Sequence, residues 1–323
     1  MKNIPWTIAG VAQISILMEV SSPKPGNVNR LRQFSDTSYR HFLASAALMG
    51  RGLYLAGVKG EKLARIEIAP NRVGIGELIL ECSKDVFGGL NQSNTILGTI
   101  LLYVPMVIAS AATLAEEKAF DNEKLQKWIH TLLDNTTVDD TLNVYRAFHL
   151  ANPGGRRNKE EQTWTNIHDR FDIDNPKVLD NIKDDNLTLQ RLFQLSADVE
   201  PLSREWSNYF ELTLEDVYPY LSEHVTNLEN MEEGIVRTFI WLLSKQPDGL
   251  IIKKAGLEKA QDIQEIAKEV IESDSNGSST EELLQNLDTI LRSDGNTYNP
   301  GTTADMVSVA ILLKLVELTW KPS

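Results

Sequence analysis

The sequence predicts an all-α fold: a single large helical domain over residues 1–323 with a buried apolar helix at its centre. Three observations carry this reading. Apolar residues recur at helical spacing through most of the chain, strand-like alternation is confined to Arg65-Ile-Glu-Ile-Ala69, and no charge occurs from Val86 to Ala115. Side chains three and four residues apart share one face of a helix, whereas alternation by two marks a half-buried strand. A composition that is 42% hydrophobic allows a sizeable core and excludes wholesale disorder.

Taken in order, Val11, Ile14, Leu17 and Met18 lie on one face of an opening helix. It has to stop before Pro23, because the residue before a proline is pushed out of the α region. The stretch Ile8–Val20 is interrupted by Gln13 and Ser15, so it does not read as a cleavable signal. Tyr39 to Met49 carries the next helical pattern and Gly76 to Cys82 a third. Thr95 to Ala115 is long enough to cross a bilayer, where about 20 apolar residues suffice. Against a span, polar residues (Asn91, Gln92, Asn94, Thr95, Thr99) and Pro105 interrupt the uncharged stretch between Asp85 and Glu116, and no Lys/Arg cluster marks a cytoplasmic side. A helix that is apolar all round is also what the centre of a large helical domain requires, and that is the expectation.

Further on, Ile235, Val236, Phe239, Ile240 and Leu243 recur at helical spacing, as do Leu257, Ala260, Ile263, Ala267 and Val270. Leu283, Leu284, Leu287 and Leu291 form another stripe, and a helix from about Thr303 to Leu318 closes the chain. Asn152–Asp185, rich in Pro, Gly, Asn and charge, and Ser273–Thr280 read as loops between helices.

Lys plus Arg total 32 against 45 Asp plus Glu, a net charge of −13. This argues against nucleic acid or an anionic membrane surface as partner, since both need a surplus of cations facing phosphate. A small anionic substrate needs only a few local cations. The single cysteine, Cys82, excludes an internal disulfide framework and a multi-cysteine zinc site, and it suggests an intracellular, cytoplasmic protein. A homo-oligomer is compatible with the sequence.

Chemistry is expected where Gly, Pro and polar residues interrupt apolar helices. The first such place is Glu19-Val-Ser-Ser-Pro-Lys-Pro-Gly-Asn-Val-Asn-Arg30, with Arg32 beyond it. A loop stiffened by proline and glycine, with exposed amides and cations, suits phosphate oxygens, although it also suits an ordinary turn between helices. The second is the approach to the uncharged helix, where Asn94 or Thr95 is a good cap and the helix N-terminus offers free N–H groups to an anion. The third is Ala151-Asn-Pro-Gly-Gly-Arg-Arg157, a glycine turn before two arginines. In the fourth, Asn296-Thr-Tyr-Asn-Pro-Gly-Thr-Thr-Ala-Asp305, the pair Thr302 and Asp305 has the spacing of a capping box. Asp305 is then either a cap or a carboxylate facing a metal. No Walker A sequence, dinucleotide fingerprint, His-Glu-x-x-His or Gly-x-Ser-x-Gly occurs, and the five histidines are scattered. A divalent metal here would be held by carboxylates, an environment that favours Mg²⁺ shared with substrate phosphates.

Read in order, these segments resemble the triphosphoribosyl-dephospho-CoA synthase family, and its archaeal branch most. The resemblance rests on Glu19 with Pro23-Lys-Pro-Gly-Asn-Val28, Phe42-Leu-Ala-Ser45, Asn94-Thr95 with Gly98, and Pro153-Gly-Gly155. It continues through Thr238-Phe239, Pro247-Asp248, Lys254 with Gly256, and Asn299-Pro-Gly-Thr-Thr-Ala-Asp305. The chain departs from bacterial members at Ile96-Leu97, where they carry His-Lys, and at Arg156-Arg157, where Leu-Gly is usual.

What the resemblance implies is transfer of the triphosphoribosyl group of ATP to the ribose 2′-OH of 3′-dephospho-CoA, with adenine leaving and Mg²⁺ assisting. Residue chemistry then suggests roles. Glu19 and Asp305 are the expected catalytic carboxylates, as Mg²⁺ ligands or with one as base. Lys24 is expected on ATP phosphate, assisted by Arg30, with Lys253 as a further cation. Gly26, Asn27, Asn94, Thr95, Gly154, Gly155, Lys254, Asn299, Gly301 and Thr303 complete the expected substrate contacts. The competing expectation is a catalytically silent or regulatory nucleotide-binding protein of the same descent, motivated by the missing His and Lys.

Overall fold

A computed structural model describes residues 3–88, 96–151, 165–276 and 279–321, and every regular element among them is helical. Helix α1 (Ile4–Ser21) begins at Asn3, whose side chain accepts the Trp6 N–H. It carries Pro5 in its first turn and ends at Ser22, just before Pro23. α2 (Tyr39–Leu48), α3 (Gly50–Ala64) and α4 (Ile75–Phe87) follow. The alternating Arg65–Ala69 stretch is a turn between α3 and a short 3₁₀ turn at Pro70–Arg72, so the one strand-like signal reflects no sheet.

The uncharged helix is α5 (Leu97–Glu117). From Leu97 to Leu114 every side chain is buried, Gly98 alone being half-buried. It is wrapped by α1, α3, α4, α6 (Asn122–Asp134) and the closing helix, which makes it the central helix the sequence calls for. By length and apolarity alone α1 and α5 could cross a membrane, but 94% of the α5 window is buried inside the protein.

α7 (Val138–Ala151) packs on α4. Of the segment expected to be loop, the described part holds α8 (Asn166–Arg170) and α9 (Val178–Asp184). Burial of Val178 and Ile182 overrides the polar composition there. α10 (Leu189–Ser196) and α11 (Pro201–Ser207) lead through Tyr209 and Phe210 into a π-helical segment, Leu212–Val217, and α12 (Tyr218–His224). α13 (Met231–Lys245), α14 (Gly249–Ala255) and α15 (Leu257–Ser275) come next, so the expected connection from Ser273 is still helical at its start. α16 (Glu281–Leu291) and α17 (Gly301–Thr319) complete the chain.

Buried side chains from Ile8 to Trp320 form one continuous cluster. Within it α1 and α17, at opposite ends of the sequence, lie side by side, and both pack on α5. That packing brings the C-terminal end of α1 to the N-terminal ends of α5 and α17.

Candidate active site

Helix α1 contributes Glu19, which is 6% exposed, and the loop after it contributes Lys24, which is wholly buried. The Lys24 ammonium lies 3.0 Å from Glu19 Oε1 and also donates to the backbone carbonyls of Glu19 and Ser22. Burial shifts both members toward neutrality, raising the Glu19 carboxyl and lowering the Lys24 ammonium, and each partly restrains the other's shift. Lys24, expected on ATP phosphate, points into the protein here and is engaged with Glu19.

The rest of that loop is fastened to α16. The Gly26 N–H donates to Asp288 Oδ1 at 2.7 Å, and Arg292 donates to the same carboxylate and to the Asn27 carbonyl. Gly26 has φ +66°, and a Cβ there would sit 2.2 Å from Leu291 Cβ, so only glycine allows this approach. Asn27 is buried in the same loop. Arg30, expected to assist Lys24, forms a two-point pair with Glu232 of α13 at the surface and donates to the Ser21 carbonyl.

Helices α5 and α17 meet at Asp305. Thr99 Oγ1 donates to Asp305 Oδ1 at 2.5 Å. A Cβ at Gly98 would fall 2.1 Å from Asp305 Oδ2, so the glycine makes room for the carboxylate. One turn deeper, Tyr103 donates to the Ser308 carbonyl at 2.7 Å and bonds Ser15 at 2.8 Å, tying α5 to α17 and α1. The Asp305 side chain keeps a partial opening to solvent, yet enough protein surrounds its carboxyl that burial pushes the pKa up to about 7. The Thr99 hydrogen bond lowers that pKa, and the charges of Glu19 and Asp248 raise it further. Glu19 and Asp305 therefore belong to one electrostatic site, although each has a different immediate partner.

Asp305 is not the cap of its own helix, because α17 carries no side-chain cap from within. That work is done by Asp248. Its Oδ1 accepts the N–H groups of Leu250 and Ile251 at the start of α14, and its Oδ2 accepts the N–H and hydroxyl of Thr303 in α17. One buried carboxylate thus braces two helix N-termini. Gly301 starts α17 against Leu250.

Lys254, at the end of α14, donates to the Asn296 carbonyl at 2.7 Å, and burial lowers its pKa. Asn296 and Asn299 each keep a buried side-chain oxygen with no hydrogen bond. Lys253 is half-buried beside Lys254. The expected contacts Asn94, Thr95, Gly154 and Gly155 lie outside the described residues, as do Arg156 and Arg157.

Thr99, Tyr103 and Asp248 were not singled out from the sequence as site residues. A signal exists for Asp248, an Asp directly before a glycine and an apolar helical run, the usual mark of an N-cap. Thr99 is an ordinary first-turn threonine until α17 is placed against it. Among the described residues no three carboxylate, histidine or cysteine side chains gather as a metal cage.

No curated protein matches the chain. Among solved structures, one from Archaeoglobus fulgidus, provisionally described as a triphosphoribosyl-dephospho-CoA synthase, is similar at 26% identity and a TM-score of 0.59. The match covers 87% of this chain and 100% of that one. The sequence pattern of the ATP:dephospho-CoA triphosphoribosyl transferase family matches residues 5–323, the segment that builds every part of the site described above. The chain belongs to that family.

Proposed function

We propose that this protein transfers the triphosphoribosyl group of ATP to the ribose 2′-OH of 3′-dephospho-CoA and releases adenine. The observation that carries the reading is Asp305, a partly open carboxylate within electrostatic reach of the buried Glu19, where helix ends meet in a family member. The acceptor hydroxyl attacks C1′ of the ATP ribose as the bond to adenine breaks, so positive charge develops at C1′. Carboxylates stabilise such a centre, and one poised near neutral pH can also take the hydroxyl proton. Asp305 takes that role. Glu19 is a positioning residue: its charge keeps the Asp305 pKa up, and its pair with Lys24 fixes the loop that follows α1.

We assign the triphosphate to the Lys253–Lys254 side, where two neighbouring cations lie at the end of α14. Glu19 does not fit as a Mg²⁺ ligand, because Lys24 occupies its carboxylate. We propose instead that Mg²⁺ enters on the triphosphate, held by phosphate oxygens and water, its ordinary coordination in nucleotide enzymes. The same reading places the reaction in the cytoplasm with small-molecule partners only. A catalytically silent nucleotide binder is disfavoured, because Asp305 and its supports are intact.

The test is direct. Protein incubated with ATP and Mg²⁺ should release adenine when 3′-dephospho-CoA is added, in step with loss of the acceptor. ATP consumption without free adenine, or adenine release independent of acceptor, would refute the reading.

A further inference from the structure

Helix α11 presents a second buried carboxyl that the reaction as described does not use. Glu205 is 2% exposed, and its Oε2 accepts the N–H and hydroxyl of Thr213. Thr213 lies in the π-helical segment, and the chain reaches that segment through two bulky residues in the left-handed region, Tyr209 and Phe210, with φ of +56° and +63°. Such backbone is costly, and both π-helical turns and left-handed bulky residues cluster at functional sites. The Phe210 N–H donates to the Glu205 carbonyl at 2.7 Å, so Glu205 holds the irregular segment through both its backbone and its side chain.

Glu205 lines a cavity of about 280 Å³. Met306, the residue after Asp305, and Gln246, two residues before Asp248, line the same cavity, with the Gln246 amide 3.6 Å from the Met306 sulfur. Helix α11 abuts the candidate active site at its other end. A Cβ on Gly249 would lie 2.8 Å from the Pro201 ring, and one on Gly98 would lie 3.3 Å from Leu202 and 2.1 Å from Asp305. Glu205 follows Pro201 by four residues, roughly 6 Å along the helix axis. The cavity therefore runs between Glu205 and Met306, the residue that follows Asp305 on α17.

Its lining selects what can enter. Glu211, Glu215 and Asp216 make the cavity acidic, with Arg204 as the lining cation, so the triphosphate end of ATP is repelled. Met306, Leu212 and Pro201 offer apolar faces, while Gln246 and Glu205 offer hydrogen-bonding edges. Apolar faces with polar edges suit a planar heterocyclic base.

We propose that this cavity seats the adenine of ATP and that Glu205 is the catalytic acid that protonates the departing base. The inference rests on the transfer reaction proposed above. As the C1′–N9 bond breaks, its electron pair moves onto the base, and the Glu205 proton goes to a ring nitrogen, giving neutral adenine. The new bond joins the acceptor O2′ to C1′, and the O2′ proton goes to Asp305. Exchange with water then returns a proton to Glu205 and removes one from Asp305. Burial, reinforced by Glu211 and Asp216, raises the Glu205 carboxyl to about 7, so it is partly protonated in neutral solution. Arg204 and Glu215 are the other charged groups in its cavity; the α17 wall contributes uncharged Met306, and Gln246 is uncharged as well.

The test is adenine release against pH for the parent protein, Glu205→Gln and Thr213→Val. The parent should show an alkaline limb as Glu205 loses its proton. Glu205→Gln should lower turnover by about 100-fold or more and abolish that limb. Thr213→Val removes a hydrogen bond that lowers the Glu205 pKa, so its alkaline limb should move to higher pH. A merely structural role would leave the position of the limb unmoved in both variants. Glu205→Gln within threefold of the parent, or a Thr213→Val limb that stays in place, overturns the proposal while the transfer reaction stands. The Thr213→Val profile decides the matter even if Glu205→Gln fails to fold. A parent protein that releases no adenine overturns the transfer reading and this one with it.

Discussion

Replacing Lys24 with Met tests the buried pair on which the α1 end of the site depends. Methionine keeps most of the lysine stem volume, so packing is largely preserved and the lost ammonium dominates. That ammonium is wholly buried, and its contacts are the Glu19 carboxylate and two backbone carbonyls. Breaking a buried pair from one side leaves the other charge uncompensated, a loss of about 3–5 kcal/mol. Glu19 can relieve part of this by taking up a proton, which its raised pKa already favours.

The sign follows from linkage. A carboxyl whose folded pKa lies above its unfolded value contributes stability at low pH that is lost as pH rises. Lys24→Met should therefore be mild near pH 5 and cost about 3 kcal/mol at pH 8. For a chain of this size, about 2 °C per kcal/mol turns that into a fall in Tm of about 6 °C. Thermal unfolding at the two pH values measures it, and Glu19→Gln added to Lys24→Met should recover much of the loss. A drop below about 2 °C at pH 8, or the same drop at both pH values, would refute the inference that Lys24 is spent on neutralising Glu19.

Asp305→Asn should stay folded, since an amide oxygen still accepts the Thr99 hydrogen bond, while turnover falls about 100-fold or more; a loss of only a few-fold would remove Asp305 from the chemistry. Because a base must be deprotonated, turnover of the parent should rise as pH increases through about 7. Thr99→Val deletes a bond that lowers the Asp305 pKa, so that acid limb should shift upward in the pH–rate profile. Leu101→Asp or Ile108→Asp places a lone carboxylate in the centre of α5 and should abolish folding, read by circular dichroism and solubility, because several kcal/mol is a large share of the usual 5–15. Chelating divalent metal should stop adenine release yet leave the melting temperature of the ATP-free protein unchanged.

The fold was legible wherever one local signal was strong enough to stand without tertiary help. The charge-free run gave α5, Pro23 gave the end of α1, and the last apolar periodicity gave α17. The helices between Asn122 and His224 were harder, because short amphipathic pieces such as α9 are apolar at only two or three positions and gain their helicity from packing. In the site, the sequence placed Glu19 and Asp305 correctly at helix ends, and their meeting follows from packing the first helix on the last. It could not give side-chain direction. Lys24 sits in a Pro-Gly loop that suits a phosphate, and nothing local says that it turns inward to a carboxylate five residues back. The capping box at Thr302 and Asp305 failed for a related reason: Asp248, distant in sequence, is the better cap for Thr303, which frees Asp305 to face Thr99.

Because α1 and α17 are neighbours, the site has a history within the life of each molecule. Glu19 emerges from the ribosome early, and its counterparts at Asp248, Asp288 and Asp305 follow only near the end of translation. At about 5–20 residues per second the α1 end waits on the order of tens of seconds for the helices that cover it. During that interval the Gly26 loop lacks α16, and the apolar face of α1 that will meet α17 is open to water. Nascent chains should therefore depend on chaperone cover until the last helix docks. Truncations that remove α17 should be aggregation-prone, and the site should appear all at once, as the last event of folding.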